Sequence, residues 1–175
     1  MLRRNPASMH EPTRAILKEI PSGPRGTRAT LREMAKLVRR YRVNPRIREL
    51  ALDVVRPVPG HKNFRGQVAA LHNFVRSNIQ YVRDVNGVET LQTPAKTLEY
   101  GQGDCDDQST LLATLLETVG FRARFRAIKI DASGPFCHVF SEVSLGRGWV
   151  PLETTERWPM GTEPPRVAAS MIENI

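Results

Sequence analysis

The chain has no long apolar run. Nowhere in its 175 residues do apolar side chains continue for the about 20 positions that a membrane helix needs. Arg3 and Arg4 are not followed by the apolar stretch of a secretory leader, so neither a membrane span nor secretion by a signal peptide is expected. Cysteine is scarce. Cys105 and Cys137 alone do not make a disulfide framework in a chain this long, and a reducing interior is the expected compartment. The Cys and His spacing holds no paired-ligand pattern, so no metal and no other cofactor is expected. Aromatics are few, and in residues 1–48 Tyr41 stands alone, which leaves little to stack on bases. No internal repeat or low-complexity tract is visible.

What is present is enough for one domain. A hydrophobic share of 40% is modest but well above that of a disordered chain. The charge is unevenly placed. Residues 1–48 hold 13 lysines and arginines against Glu11, Glu19 and Glu33, whereas the rest holds 13 against 15 acids. The net +8 therefore resides in the first quarter. Such a stretch suits an acidic protein, an anionic surface or nucleic acid, or is simply the solvated face of a tail and a helix.

Prolines 6, 12, 21 and 24 with glycines 23 and 26 predict an irregular, basic arm over residues 1–29. Thr30 and Glu33 read as a capping box for a helix to Arg42, with Leu31, Met34, Ala35, Val38 and Tyr41 on its apolar stripe. Asn44-Pro45 opens a second helix with Ile47, Leu50, Ala51, Val54 and Val55 inward. A third covers about 64–79, burying Phe64, Val68, Leu71, Phe74, Val75 and Ile79 and leaving His72 at the surface. An extended piece at 81–84 and a loop to Gln92 follow. Thr93-Pro94 opens a short helix closed by Gly101. Asp104 caps a strongly apolar helix that Gly120 stops. Alternation predicts strands at 122–130, 136–143 and 148–154, with a turn at 145–148. Residues 156–175 read as a strap ending in a short helix. Helices first and an antiparallel sheet later make the class α+β, with 30–155 as its domain.

Cys105 follows Gly101-Gln102-Gly103-Asp104 and so falls in a first helical turn, where unpaired N–H groups and the helix dipole favour a thiolate. His138 comes 33 residues later on a strand and Glu153 another 15 later on the next. A Cys, a His and a carboxylate in that order suggest a nucleophile, its base and the orienter of the base. Phe136, His138, Phe140 and Glu142 share one strand face, and Trp149, Pro151 and Glu153 share another. If the central helix packs on that face, its tip meets the imidazole. Cys137 points the other way. The backbone N–H of Cys105 is a natural oxyanion donor, with Gln102 and Gln80-Tyr81 as candidates for the second. Asp104, Asp106 and Asp107 oppose the thiolate unless their side chains are engaged elsewhere.

Gly103-Asp104-Cys105-Asp106-Asp107, Leu111-Leu112-Ala113-Thr114-Leu115-Leu116, His138-Val139-Phe140-Ser141-Glu142-Val143 and Gly148-Trp149-Val150-Pro151-Leu152-Glu153 together resemble the transglutaminase-like superfamily of papain-fold cysteine enzymes, over roughly 68–155. The resemblance implies a Cys, His, Asp triad, which maps onto Cys105, His138 and Glu153; the third member is here one methylene longer. The small size, the loop 84–94 and the ending Pro151-Leu152-Glu153-Thr154-Thr155-Glu156 are similar to forms encoded by tailed bacteriophages and prophages. The resemblance implies a cysteine hydrolase, peptidase or amidase, that takes a protein or peptide substrate through a thioester, with water or an amine as acceptor. It also leaves open a non-catalytic virion protein of neck or tail type that keeps the fold. Other phage virion proteins would then meet residues 1–48 and 156–175, in the bacterial host cytoplasm or the virion. DNA association through residues 1–48 is a third option.

Overall fold

A computed structural model of the chain describes residues 23–83, 90–156 and 158–175. The first helix, α1, spans Gly23–Tyr41 and buries the expected stripe of Leu31, Met34, Ala35, Val38 and Tyr41. It starts seven residues before Thr30, which corrects the expectation of irregular chain up to 29. The proline that argued against a helix sits in its first turn, where the missing N–H has no partner to lose. The remainder of the expected arm, 1–22, lies outside the described residues, as does 84–89 of the expected loop.

Asparagine caps start the next two helices. Asn44 accepts from the N–H groups of Arg46 and Ile47 ahead of α2, Pro45–Val55, and Asn63 accepts from Gly66 ahead of α3, Phe64–Asn78. Phe64 does not join the core; it is 52% exposed and meets Phe121 edge-on. His72 reverses the other way, being buried rather than at the surface. After α3 a two-residue strand β1, Gln80–Tyr81, runs parallel to β2, Gln102–Gly103, which follows helix α4, Pro94–Tyr100. Helix α5, Cys105–Thr118, is buried from Asp107 to Leu116, so it is the central element against which α1, α2, α3 and α4 pack. Among the described residues no helix is long and apolar enough to cross a membrane.

The second half is a sheet of β3 (Ala123–Lys129), β4 (His138–Leu145), β5 (Gly148–Leu152) and β6 (Ala169–Asn174), in the order β5-β4-β3-β6 with every pair antiparallel. The strand β6 stands where a short helix was expected. It lies along the other edge of β3, pairing Met171 with Ala127, and so satisfies backbone groups that β4 leaves unpaired. One sheet face carries Phe125, Ala127, Val139, Val143, Leu152 and Met171 into the core with the α5 leucines. On the opposite face the buried Glu142 carboxylate accepts from Arg124 at 2.6 Å and Arg126 at 3.3 Å, and the Arg124 guanidinium lies 4.2 Å from the Trp149 ring. Helices on one side of an antiparallel sheet make the fold α+β.

The helix packs on the face opposite to the one expected. Ser141 points its hydroxyl at the carbonyl of Ser109 in α5, 2.9 Å away, so Val139, Ser141 and Val143 meet the helix while His138, Phe140 and Glu142 do not. Small side chains allow the close approach there, and the arginine and glutamate of the other face are too polar to be covered by leucines.

Candidate active site

The loop before Cys105 is built for close approach. Gly101 ends α4 in the left-handed region at φ 63°, and Gly101 and Gly103 accept backbone hydrogen bonds from Gln80 and Val82 at 2.8 and 3.1 Å. A Cβ on Gly103 would sit 2.6 Å from the Asp107 Cβ, so glycine is required there. Asp104 then caps α5, accepting from the N–H groups of Asp106 at 3.0 Å and Asp107 at 3.1 Å, and the Asp107 carboxylate accepts from the Asp104 N–H at 3.4 Å. The reciprocal pair places Cys105 as the first residue of the helix.

The helix tip is stitched to the start of β4. The Ser109 hydroxyl donates to the Val139 carbonyl at 3.2 Å, and the Val139 N–H lies on the side of the Cys105 sulfur, where it favours the thiolate. The thiol thus reaches the residue next to His138 although His138 is on the far pleat. His138 is the first residue of its strand, at the end of the sheet, and its Nε2 meets Glu153 Oε2 at 2.5 Å. Glu153, one residue beyond β5, is 2% exposed. Its other oxygen accepts from the Thr155 N–H at 2.7 Å and the Thr155 hydroxyl at 2.8 Å. Its main-chain carbonyl accepts from His72 Nε2. The imidazole and the carboxylate are therefore joined directly. The sulfur is not hydrogen-bonded to the imidazole: the thiol donates to Asp106 Oδ1 at 3.4 Å.

The three aspartates thereby divide their tasks. Asp104 is spent on the cap. Asp107 is turned away and buried, holding the N–H of Gln92 at 2.7 Å and its side-chain amide at 2.8 Å. Asp106 is the one that faces the sulfur. Burial first, then the charges of Asp106 and Asp104, push the Cys105 thiol far above its ordinary value, against the Val139 N–H that favours the thiolate. Burial alone would lower the His138 value. The hydrogen bond and charge of Glu153, with Asp106 and Glu156 behind them, outweigh it and hold the imidazole above its usual range. Glu153 is correspondingly held below the carboxylate range despite its burial, by His138 and Thr155. Because Nε2 faces the carboxylate, Nδ1 is the ring nitrogen that Glu153 does not engage.

A cleft of about 400 Å³ runs along His138 between Tyr81, Ile130 and Trp158. A second, of about 380 Å³, lies between Arg76, Gln108 and Thr154, and the two share Tyr81, Thr155 and Glu156 as a ridge. Sequence reasoning missed His72, Asp106 as the partner of the thiol, and Thr155. His72 carried a readable signal: it stands four residues after Val68 and three before Val75, inside the buried stripe of α3. For Asp106 and Thr155 no spacing rule applied.

No curated protein matches the sequence. Among solved structures the chain is similar to a candidate cysteine protease from Cytophaga hutchinsonii, with a TM-score of 0.55 and 16% identity over 82% of this chain and 52% of that one. It is similar to a candidate protease from Parabacteroides distasonis with a TM-score of 0.57 and 13% identity, over 71% of this chain and 26% of that one. Identities this low speak to the fold alone, and the chain spans about half of the first and about a quarter of the second. The family model of the transglutaminase-like superfamily matches residues 49–154, which is more than half of the sequence and includes Cys105, His138 and Glu153, and the chain belongs to that superfamily.

Proposed function

We propose that the protein is a cysteine hydrolase, a peptidase or amidase, with Cys105 as nucleophile, His138 as base and acid, and Glu153 as the carboxylate that orients the imidazole. The observation that carries this reading is the 2.5 Å contact of His138 Nε2 with a buried carboxylate, beside the strand residue whose N–H favours the Cys105 thiolate. His138 Nδ1 takes the thiol proton as the sulfur attacks an amide carbonyl. The main-chain N–H of Cys105, in the first helical turn and without a hydrogen-bond partner among the described residues, faces the developing oxyanion. The C–N bond then breaks, and His138 returns the proton to the departing amine, leaving a thioester. Water, deprotonated by the same imidazole, cleaves the thioester to a carboxylic acid and the free thiol. The substrate is a protein or peptide lying in the cleft along His138.

Alkylation tests the pairing, with Cys137 as the exposed reference thiol in the same molecule. In His138→Ala, iodoacetamide labelling of Cys105 at pH 7.5, read by peptide mass spectrometry, is expected to fall about tenfold while Cys137 is unaffected. Equal Cys105 rates in the two proteins would defeat the enzyme reading.

One observation favours a second reading, a non-catalytic virion component of neck or tail type. The thiol is bonded to a carboxylate that suppresses its ionisation. In that case residues 1–48 and 156–175 are the contacts to other phage virion proteins, and 30–155 is a scaffold. Recovery of the protein in assembled particles that stay infectious with Cys105→Ser supports this reading.

A further inference from the structure

Resting on the proposed role of Glu153, we propose that His72 of α3 is a positioning residue for the reaction: it anchors the Glu153 main chain so that the carboxylate stays on the His138 imidazole. Glu153 lies one residue past the last ladder pair of β5, where the sheet no longer holds the backbone. Its carbonyl is taken up instead by a histidine from the helical layer, 81 residues away in the chain.

A carbonyl only accepts, so Nε2 of His72 carries the proton. His72 is 1% exposed, and its burial lowers its proton affinity, assisted by Arg76 and opposed by Glu153. The ring is therefore a neutral, fixed donor at neutral pH. Glu153 is then held at three points by groups from three different segments. His72 takes the carbonyl, Thr155 takes Oε1 and His138 takes Oε2. Thr155 is only two residues along the same loop, so it moves with Glu153 and cannot set where the loop lies. Of the three, His72 alone ties that loop to the helical body, which the buried face of α3 fixes through Val68, Leu71 and Val75. Without this anchor a buried carbonyl loses its partner and the loop is free to shift. A displacement of about 1 Å is enough to break a 2.5 Å contact between imidazole and carboxylate.

Two variants separate positioning from bulk packing. His72→Leu fills the space without a donor, whereas His72→Gln places an amide N–H near the Nε2 position. The His138 titration is followed by NMR, and the pH profile of Cys105 alkylation is measured beside it. In wild-type protein the His138 midpoint is expected above 6.5, as Glu153, Asp106 and Glu156 favour the imidazolium. In His72→Leu the midpoint should fall and Cys105 labelling should drop several-fold; His72→Gln should restore both. A folded His72→Leu with the wild-type His138 midpoint overturns the proposal, as does a Gln variant no better than Leu. If His72→Leu does not fold, the wild-type protein decides: the ¹⁵N shifts of His72 should report the Nε2–H tautomer, and an Nδ1–H tautomer overturns the anchor. If His138→Ala leaves Cys105 labelling unchanged while the His138 midpoint still follows His72, the enzyme reading fails and the anchor stands.

Discussion

At the scale of the residue, the site is decided by which carboxylate faces which atom. Asp104, Asp106 and Asp107 are consecutive acids around one thiol, yet the cap claims the first and Gln92 the third. Only Asp106 is left to accept from the sulfur. Its charge favours the neutral thiol and also favours the imidazolium that His138 becomes when it gains a proton. Asp106→Asn removes the charge and keeps an oxygen acceptor. Cys105 alkylation at pH 8 should then rise by about tenfold, the effect of one pKa step on the thiolate fraction. A rate equal to or below that of the wild type would mean that Asp106 does not restrain the thiol. The glutamate, where the resemblance implies an aspartate, also has a local account. Its longer side chain spans from Thr155 on one oxygen to His138 on the other.

At the scale of the element, α5 does two things that pull in opposite directions. Its apolar length from Leu111 to Leu116 makes the core, while its first turn presents Cys105, the proposed nucleophile. The cap serves both, because Asp104 holds two N–H groups of the first turn and also adds negative charge near the sulfur. Asp104→Ala should therefore lower stability by about 1 kcal/mol and at the same time raise Cys105 reactivity. Chemical denaturation and iodoacetamide kinetics on the same protein check the pair of effects. Loss of stability with slower alkylation would show that the cap positions the thiol more than its charge restrains it. Two hydroxyls, those of Ser109 and Ser141, tie α5 to β4 and set the height of the helix tip against the strand.

At the scale of the whole molecule, buried titrating groups predict how stability follows pH. Burial, then the charge of Asp104, raises the Asp107 carboxyl from 3.8 to about 7, against hydrogen bonds from Gln92 and Asp104. The folded state binds that proton more tightly than the unfolded chain. Stability from this group is lost as pH rises towards 7 and gained as pH falls towards 4. His138, also raised, adds in the same direction below neutral pH. His72, lowered by burial, subtracts once pH falls below its ordinary 6.5. Glu153, lowered, contributes above 4.5 and fades as pH falls through its folded value. The melting temperature should thus be higher near pH 6 than at pH 8. Asp107→Asn should flatten that difference, because Gln92 can turn its unpartnered buried oxygen towards the new amide. A wild-type melting temperature that climbs from pH 6 to pH 8 would remove Asp107 as the dominant group.

The residues of the sequence by themselves determined the elements whose signals are local. Apolar spacing, Asn-Pro and Thr-Pro starts, and glycine stops located α2 to α5, while alternation located β3 to β5. The order Cys105, His138, Glu153 was also legible, because a helix tip and two adjacent strands are short-range patterns. Four matters were left open, three of them to tertiary structure. The start of α1 at Gly23 turns on whether a proline falls in a first helical turn, and the pairing of β6 with β3 depends on a partner far along the chain. So does the choice of sheet face: alternation defines two faces, and only packing against α5 selects the one with small side chains. The partners of the candidate site residues, Asp106 for the sulfur and His72 and Thr155 for Glu153, depend on side-chain directions and on a contact across 81 residues. Local sequence sets backbone propensity within a few residues, but the ordering of buried polar groups follows from which of them must share one desolvated space.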